Sequence, residues 1–187
     1  MALLYLIRHG RAAGGWTEDP DPGLDEEGRD QALAMAAEIG PKGPLGLVTS
    51  PLQRTRLTAA ALESAWGAPA RIEPRVGEIP SPAGPEGELA NRGAWLTSVM
   101  SSRWDDPALS PALLAWRRGV LAALGELTED TAMVSHFVVI NAAVGAATGD
   151  GRVMSFRPGY CSVTVLDNDA GRLRLVELGG QSTTLVR

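Results

Sequence analysis

Short apolar runs alternate with amphipathic stretches along this chain. Ala2–Ile7 is continuously apolar, stops at Arg8-His9-Gly10, and leads into a polar, Gly/Pro-rich stretch over 10–24. A short apolar run bounded in this way predicts a buried strand. Asp25 can then cap a helix over Glu26–Ile39 that stops at Gly40, with Ala32, Leu33, Met35, Ala36 and Ile39 forming one apolar face. Leu45–Thr49 predicts a second strand. Ser50 as cap and Pro51 in the first turn predict a helix reaching about Trp66. Arg71–Glu73 reads as a third strand, and 74–88 as a loop. Helical patterns follow over Glu88–Trp104 and Ala108–Leu127, then a strand over Thr131–Ser135 and a helix over Phe137–Ala147. Cys161–Leu166 and Leu173–Leu178 flank an Asn-Asp-Ala-Gly turn and predict an antiparallel hairpin.

This order predicts an α/β fold, a three-layer α/β/α sandwich with a mostly parallel central sheet, over one domain spanning 1–187. Such sheets place ligand sites beyond the carboxyl ends of their strands. The first strand ends in Arg8-His9-Gly10, the second in Ser50-Pro51 with Arg54 just beyond, and the strand at 131–135 in Ser135-His136. The chain has only 2 histidines. Both, and two arginines, fall at predicted strand ends on one edge of the sheet, with Arg8 directly beside His9.

Composition narrows the partners. The net charge of -5 gives no support for nucleic acid as a partner. No apolar run approaches the roughly 20 residues that span a bilayer, and the single cysteine, Cys161, cannot form an internal disulfide. The expected setting is the cytoplasm, with no membrane partner and an oligomeric state the sequence leaves open. Lys42 is the sole lysine among 17 basic residues, so arginine counts by themselves are weak evidence for phosphate binding.

Leu6-Ile7-Arg8-His9-Gly10 resembles the signature of the histidine phosphatase superfamily, the phosphoglycerate-mutase-like fold. Four further segments resemble the family's in the same order. Leu24-Asp25-Glu26-Glu27-Gly28-Arg29 looks like its first helix start, and Ser50-Pro51-Leu52-Gln53-Arg54-Thr55 its second-strand motif. Val76-Gly77-Glu78-Ile79 looks like the segment carrying the acid, and Val134-Ser135-His136 the second-histidine motif. The resemblance implies a metal-independent phosphomonoesterase working through a phosphohistidine, with no cofactor, on a small phosphorylated substrate or a phosphoprotein. In that reading His9 is the nucleophile and Arg8 and Arg54 bind phosphate, their planar forks matching its oxygens. His136 becomes a charged donor when phosphate binds. Glu78 is the general acid, its pKa raised by the apolar Ile79-Pro80-Ser81-Pro82 segment, with Glu86 and then Glu73 as competing carboxylates.

The departures bear on substrate. Ala12 and Gly15 stand where the mutase branch carries Thr and a phosphate-binding Asn, Phe137-Val138 replaces Gly-Gly, and Asn141 falls where Arg is common. The Arg-His-Gly-x-Ala sequence resembles the small phosphohistidine phosphatases, which generally lack an acid loop. A mutase and a non-catalytic phosphate-binding regulator are the alternative functions. Trp66, Trp95, Trp104 and Trp116 are expected in packing, Arg117-Arg118 on a solvated face, and Cys161 inside a strand; Trp16, in the loop after His9, is a candidate for the pocket wall but not the favoured one.

Overall fold

A computed structural model describes residues 1–15, 19–84 and 88–182, with 89 and 90 described as backbone only. Trp16 and Glu86 lie outside the described residues. Six strands form one sheet: β1 (Ala2–Arg8), β2 (Gly46–Thr49), β3 (Arg71–Ile72), β4 (Thr131–Ser135), β5 (Val163–Asp169) and β6 (Arg172–Glu177). Their order is β3-β2-β4-β1-β5-β6. The first four are mutually parallel, and β5 runs antiparallel to both its neighbours. Five helices accompany them: α1 (Glu26–Ile39), α2 (Gln53–Trp66), α3 (Leu89–Met100), α4 (Pro111–Gly125) and α5 (Phe137–Thr148).

The period-two alternation of the strands separates two cores. Leu4, Leu6, Val48 and Met133 face one side and pack with Val120 and Leu124 of α4 and Val139 and Ile140 of α5. Ile7, Leu47, Ala132 and Val134 face the other and pack with Met35 and Ile39 of α1 and Leu62 of α2. These are the three layers the alternating pattern predicts. Leu96, Val99 and Met100 of α3 form a further cluster with Trp104, Phe137 and the buried Ile79. Trp95 and Trp116 pack against it, and Trp66 against the α1–α2 side. Among the described residues no helix is long and apolar enough to cross a membrane.

Asp25 caps α1 as predicted, accepting from Gly28 N at 2.7 Å. The start of α2 differs from expectation. The helix begins at Gln53 with Leu52 at the cap position and no side-chain cap; the Ser50 oxygen accepts from Leu52 N, ahead of the helix. Cys161 is buried as expected but precedes β5, in a left-handed conformation with φ 54°; burial pushes its thiol up to about 12.

The chain after β1 is pressed onto the start of α1. A Cβ on Gly10 would meet Gly28 O, and one on Gly28 would meet Arg11 O, both well inside contact distance. The obstructing atoms are backbone, so relief requires moving β1's exit away from α1. Gly28→Ala is expected to lower stability by about 1–3 kcal/mol, the usual cost of overpacking, as measured by urea denaturation. An unchanged midpoint would show that the two segments separate freely.

Candidate active site

The register of the parallel strands assembles the site. Arg8 of β1 pairs with Ser135 of β4, so the residue after each, His9 and His136, leave adjacent strands at the same level. Their ring centroids are 5.4 Å apart. β2 lies on the other flank of β4, with Thr49 opposite Val134, which brings Ser50 level with Ser135. The Ser50 hydroxyl lies 2.7 Å from His136 Nε2. Arg54, in the first turn of α2, reaches back over this edge.

Arg54 is the hub. Its Nε donates to His9 Nε2 at 3.3 Å, and its Nη2 lies 3.3 Å from Glu78 Oε2 and 3.4 Å from His136 Nδ1. Glu78 Oε2 is in turn 3.2 Å from His136 Nδ1. The loop carrying Glu78 is held by buried anchors on either side, Val76 and Ile79. Ser135 Oγ donates to Val76 O and Trp116 Nε1 to Gly77 O. Arg8, 1% exposed, donates from Nη1 to Pro158 O at 2.9 Å and sits 3.9 Å from the centre of the Tyr160 ring. Its Nε has no hydrogen-bond partner among the described residues. Gly10 N donates to Thr58 Oγ1, which donates to Arg54 O, so the loop after β1 and the first turn of α2 are tied together.

The five residues singled out from sequence, Arg8, His9, Arg54, Glu78 and His136, therefore converge. The competing carboxylate Glu73 does not join them. It is clamped by Arg75 and Arg71, with Arg75 bridging on to Glu126, and these partners hold its pKa down to about 2 against the cost of burial. Arg117 stacks on Trp104 at 5.1 Å and Arg118 is exposed; neither lines the cavity beside His9. Phe137 packs behind Arg8 rather than on the cavity wall. Asn141 accepts from Ser155 N and Phe156 N, a structural task.

That cavity measures about 340 Å³ and is walled by Arg8, His9, Arg54, the Ala12–Gly15 segment, Tyr160 and Arg92. Tyr160 and Arg92 were not found from sequence. Tyr160 arrives on the turn before β5 and Arg92 on α3, and neither carries a local motif that marks it. Glu78 and His136 are not on the wall; they are reached through Arg54.

Electrostatics overturn one expectation. Glu78 was expected to have a raised pKa. Burial does push it up, but His136, Arg54 and His9 outweigh that and hold it well below the ordinary carboxylate range. Burial, with His136, Arg54 and Arg8, holds His9 well below the ordinary imidazole value. Burial also lowers His136, against the opposing pull of Glu78. The ligand-free site thus has two neutral imidazoles, one carboxylate and two buried guanidiniums. His9 Nδ1 is 2.8 Å from Gly10 O, so that nitrogen carries the proton and Nε2 keeps its lone pair. One ligand atom each from His9, Glu78 and His136 lie within 4.8 Å of one another. A metal ion among them would meet the Arg54 guanidinium, which touches all three, so this arrangement favours an anion over a cation.

Residues 4–180 match the histidine phosphatase superfamily, branch 1. The chain belongs to this family. A glucosyl-3-phosphoglycerate phosphatase of Mycolicibacterium vanbaalenii is 33% identical over 118 residues, 61% of this chain and 47% of that protein. A probable phosphoglycerate mutase GpmB of Photorhabdus laumondii is 34% identical over 83 residues, 42% of this chain and 39% of that protein. The chain thus spans less than half the length of these curated relatives. Among solved structures, the mycobacterial glucosyl-3-phosphoglycerate phosphatase complexed with VO3 superposes with a TM-score of 0.72 at 23% identity, covering 97% of this chain and 100% of that one. The Entamoeba histolytica phosphoserine phosphatase in complex with 3-phosphoglyceric acid gives 0.75 at 21%, covering 97% and 98%. These likenesses agree with the α/β histidine phosphatase fold.

The buried histidines make stability depend on pH. Held neutral in the fold, each takes up a proton only on unfolding below about pH 6.5. The unfolded state then binds more protons, so stability is full above that pH and falls below it. Glu78 and Glu73, held low in the fold, add losses in the same direction below about pH 4. Between pH 6 and 5 the unfolding free energy should fall by up to about 1.4 kcal/mol per pH unit for each histidine. Urea titrations across that window check this, and His9→Asn should remove roughly half the slope. A flat profile would contradict the assignment of neutral histidines.

Proposed function

We propose that this protein is a metal-independent phosphomonoesterase that forms a phosphohistidine on His9. The observation that carries the reading is the state of His9: its Nδ1 proton held by Gly10 O, its Nε2 lone pair accepting from the buried Arg54 guanidinium, beside a cavity also walled by Arg8. In the first step that lone pair attacks phosphorus, the P–N bond forms, and the ester P–O bond breaks. Arg8 and Arg54 carry the equatorial oxygens. The leaving oxygen takes a proton from Glu78. In the second step Glu78 removes a proton from water, the water oxygen bonds phosphorus, and the P–N bond breaks to restore His9.

Glu78 needs a proton it does not hold in the free site. A bound phosphoryl group supplies the means. Arg54 turns from Glu78 to the phosphoryl oxygens, so the carboxylate loses a cation and gains an anionic neighbour, and both changes raise its pKa. A substrate entering as its monoanion brings the proton with it. The substrate is a small phosphorylated compound. A phosphorylated acid fits best, because Arg92 adds a further guanidinium to the wall and relatives are named for phosphoglycerate chemistry. A cytoplasmic setting suits the buried free thiol of Cys161.

The deciding experiment is phosphate release from an aryl phosphate with and without EDTA. Turnover is expected in both, with an acid-labile phosphoryl group trapped on the wild type. His9→Ala should lose at least about 10³-fold and trap none. Residual turnover above about 1% in His9→Ala, or dependence on one divalent ion, would refute the mechanism. Glu78→Gln should cost about 10²–10⁴-fold on an alkyl phosphate and far less on a nitrophenyl phosphate, whose leaving oxygen hardly needs a proton. Equal pre-steady-state losses on the two would remove Glu78 as the acid.

A further inference from the structure

Sequence marks Ser50 as a helix cap, but the structure gives its hydroxyl a different partner. Ser50 and His136 are both fully buried, so no solvent reaches the contact between them. Ser50 Oγ accepts from Leu52 N at 3.3 Å and lies 2.7 Å from His136 Nε2. Among the described residues, His136 Nε2 is the only acceptor within reach of the Ser50 proton. The opposite end of the ring faces a carboxylate, Glu78 Oε2, at 3.2 Å from Nδ1.

Three proton arrangements are conceivable, and the contacts distinguish them. With the proton on Nε2 alone, a bare Nδ1 lone pair would face the Glu78 carboxylate, and the Ser50 proton would have no acceptor. With both nitrogens protonated, Nδ1 would be satisfied, but the buried Ser50 proton would still be stranded, at a cost of about 1–3 kcal/mol. With the proton on Nδ1 alone, every group is paired. Leu52 N–H donates to Ser50 Oγ, Ser50 O–H to Nε2, and Nδ1–H to Glu78. The close Arg54 Nη2–His136 Nδ1 approach is then explained as well, since both are donors converging on the same Glu78 oxygen.

We propose that Ser50 is a positioning residue that fixes His136 in its neutral Nδ1–H form, aimed at Glu78 and the reacting phosphoryl group. The charged and titratable groups around the ring are Glu78, Arg54, Arg8 and His9. Glu78 alone favours an imidazolium, and the Ser50 hydrogen bond opposes it by binding the neutral form. His136 therefore serves as a neutral donor, ready to shift from Glu78 to a phosphoryl oxygen when Arg54 does the same. The catalytic part of this inference rests on the proposed phosphatase reading; the proton placement does not.

The test uses the intact protein with ¹⁵N-labelled imidazole. With only 2 histidines in the chain, two pairs of ring-nitrogen resonances can be assigned. Near neutral pH and without ligand, His136 should show a protonated Nδ1 and a bare, hydrogen-bonded Nε2. In Ser50→Ala the Nε2 resonance should move to the non-hydrogen-bonded position and the second tautomer should appear, while the His9 pair stays in place. Ser50→Thr should restore the wild-type pattern. On an aryl phosphate, kcat should drop about 10–100-fold in Ser50→Ala, the usual cost of losing a group that orients another. KM should change less, and the Thr variant should recover. A protonated Nε2 in the wild type, or an unshifted spectrum in Ser50→Ala, would overturn the proposal. Should Ser50→Ala fail to fold, the wild-type proton placement decides alone. Absence of turnover on any phosphate ester would refute the phosphatase reading while leaving the nitrogen spectrum to judge Ser50.

Discussion

The parallel pairing of β1 with β4 is the constraint on which the site depends. It sets Arg8 opposite Ser135, and every later contact follows from that register. A shift by one residue would carry the side chains of a strand to the other face of the sheet. Leu4 and Leu6 would leave the α4–α5 core, Ile7 would leave the α1–α2 core, and His9 and His136 would leave opposite faces. The two hydrophobic cores therefore enforce the geometry of the histidine pair. The β2–β4 pairing extends the same logic by one strand, since it brings Ser50 to His136 and points α2, with Arg54, at both rings.

Residues that immediately follow a strand could be read from sequence, because strand ends are visible as the ends of apolar runs. That is how His9, His136, Arg8 and the neighbourhood of Arg54 came into view. Glu78 was found through its resemblance to the family's acid segment. Tyr160 and Arg92 carry no such mark. They reach the cavity on a turn before β5 and on α3, and their distance along the chain hides their proximity in space. Ser50 shows a subtler failure. Ser-Pro before a helix is a valid capping signal, but here the Ser50 oxygen accepts from Leu52 N, ahead of the helix, while its proton is directed to His136 Nε2. α2 then starts three residues later, at Gln53, without a side-chain cap. The ionisation of Glu78 was misread for a related reason. The local Ile-Pro-Ser-Pro sequence correctly suggested burial, yet the groups that outweigh burial, His136, Arg54 and His9, lie at the ends of other elements.

Burying two guanidiniums beside two imidazoles is costly, and the surrounding structure shows how the cost is limited. Arg8 lies 3.9 Å from the centre of the Tyr160 ring and 5.2 Å from that of Phe137, and Pro158 O accepts a hydrogen bond from it. Arg54 is offset by Glu78. Among the buried charges, one carboxylate against two guanidiniums leaves an excess positive charge, reduced by the partly exposed Asp21 at 3.9 Å from Arg54 Nη1.

That excess accounts for two properties at once. Alongside burial, the larger cause, it opposes protonation of His9, so the ring keeps the Nε2 lone pair that the proposed attack on phosphorus requires. It also makes an anion the favoured occupant of the space between Arg8 and Arg54, where the Arg8 Nε–H has no partner among the described residues. In the proposed mechanism a phosphoryl group entering there offsets the positive charge that kept Glu78 ionised, while burial still keeps the imidazoles neutral. In the same mechanism the phosphoryl group draws Arg54 off Glu78, and the carboxylate would become protonatable only when a substrate is present to receive the proton. An acid with a permanently raised pKa would not need this coupling; an acid held ionised by the site's own arginine does.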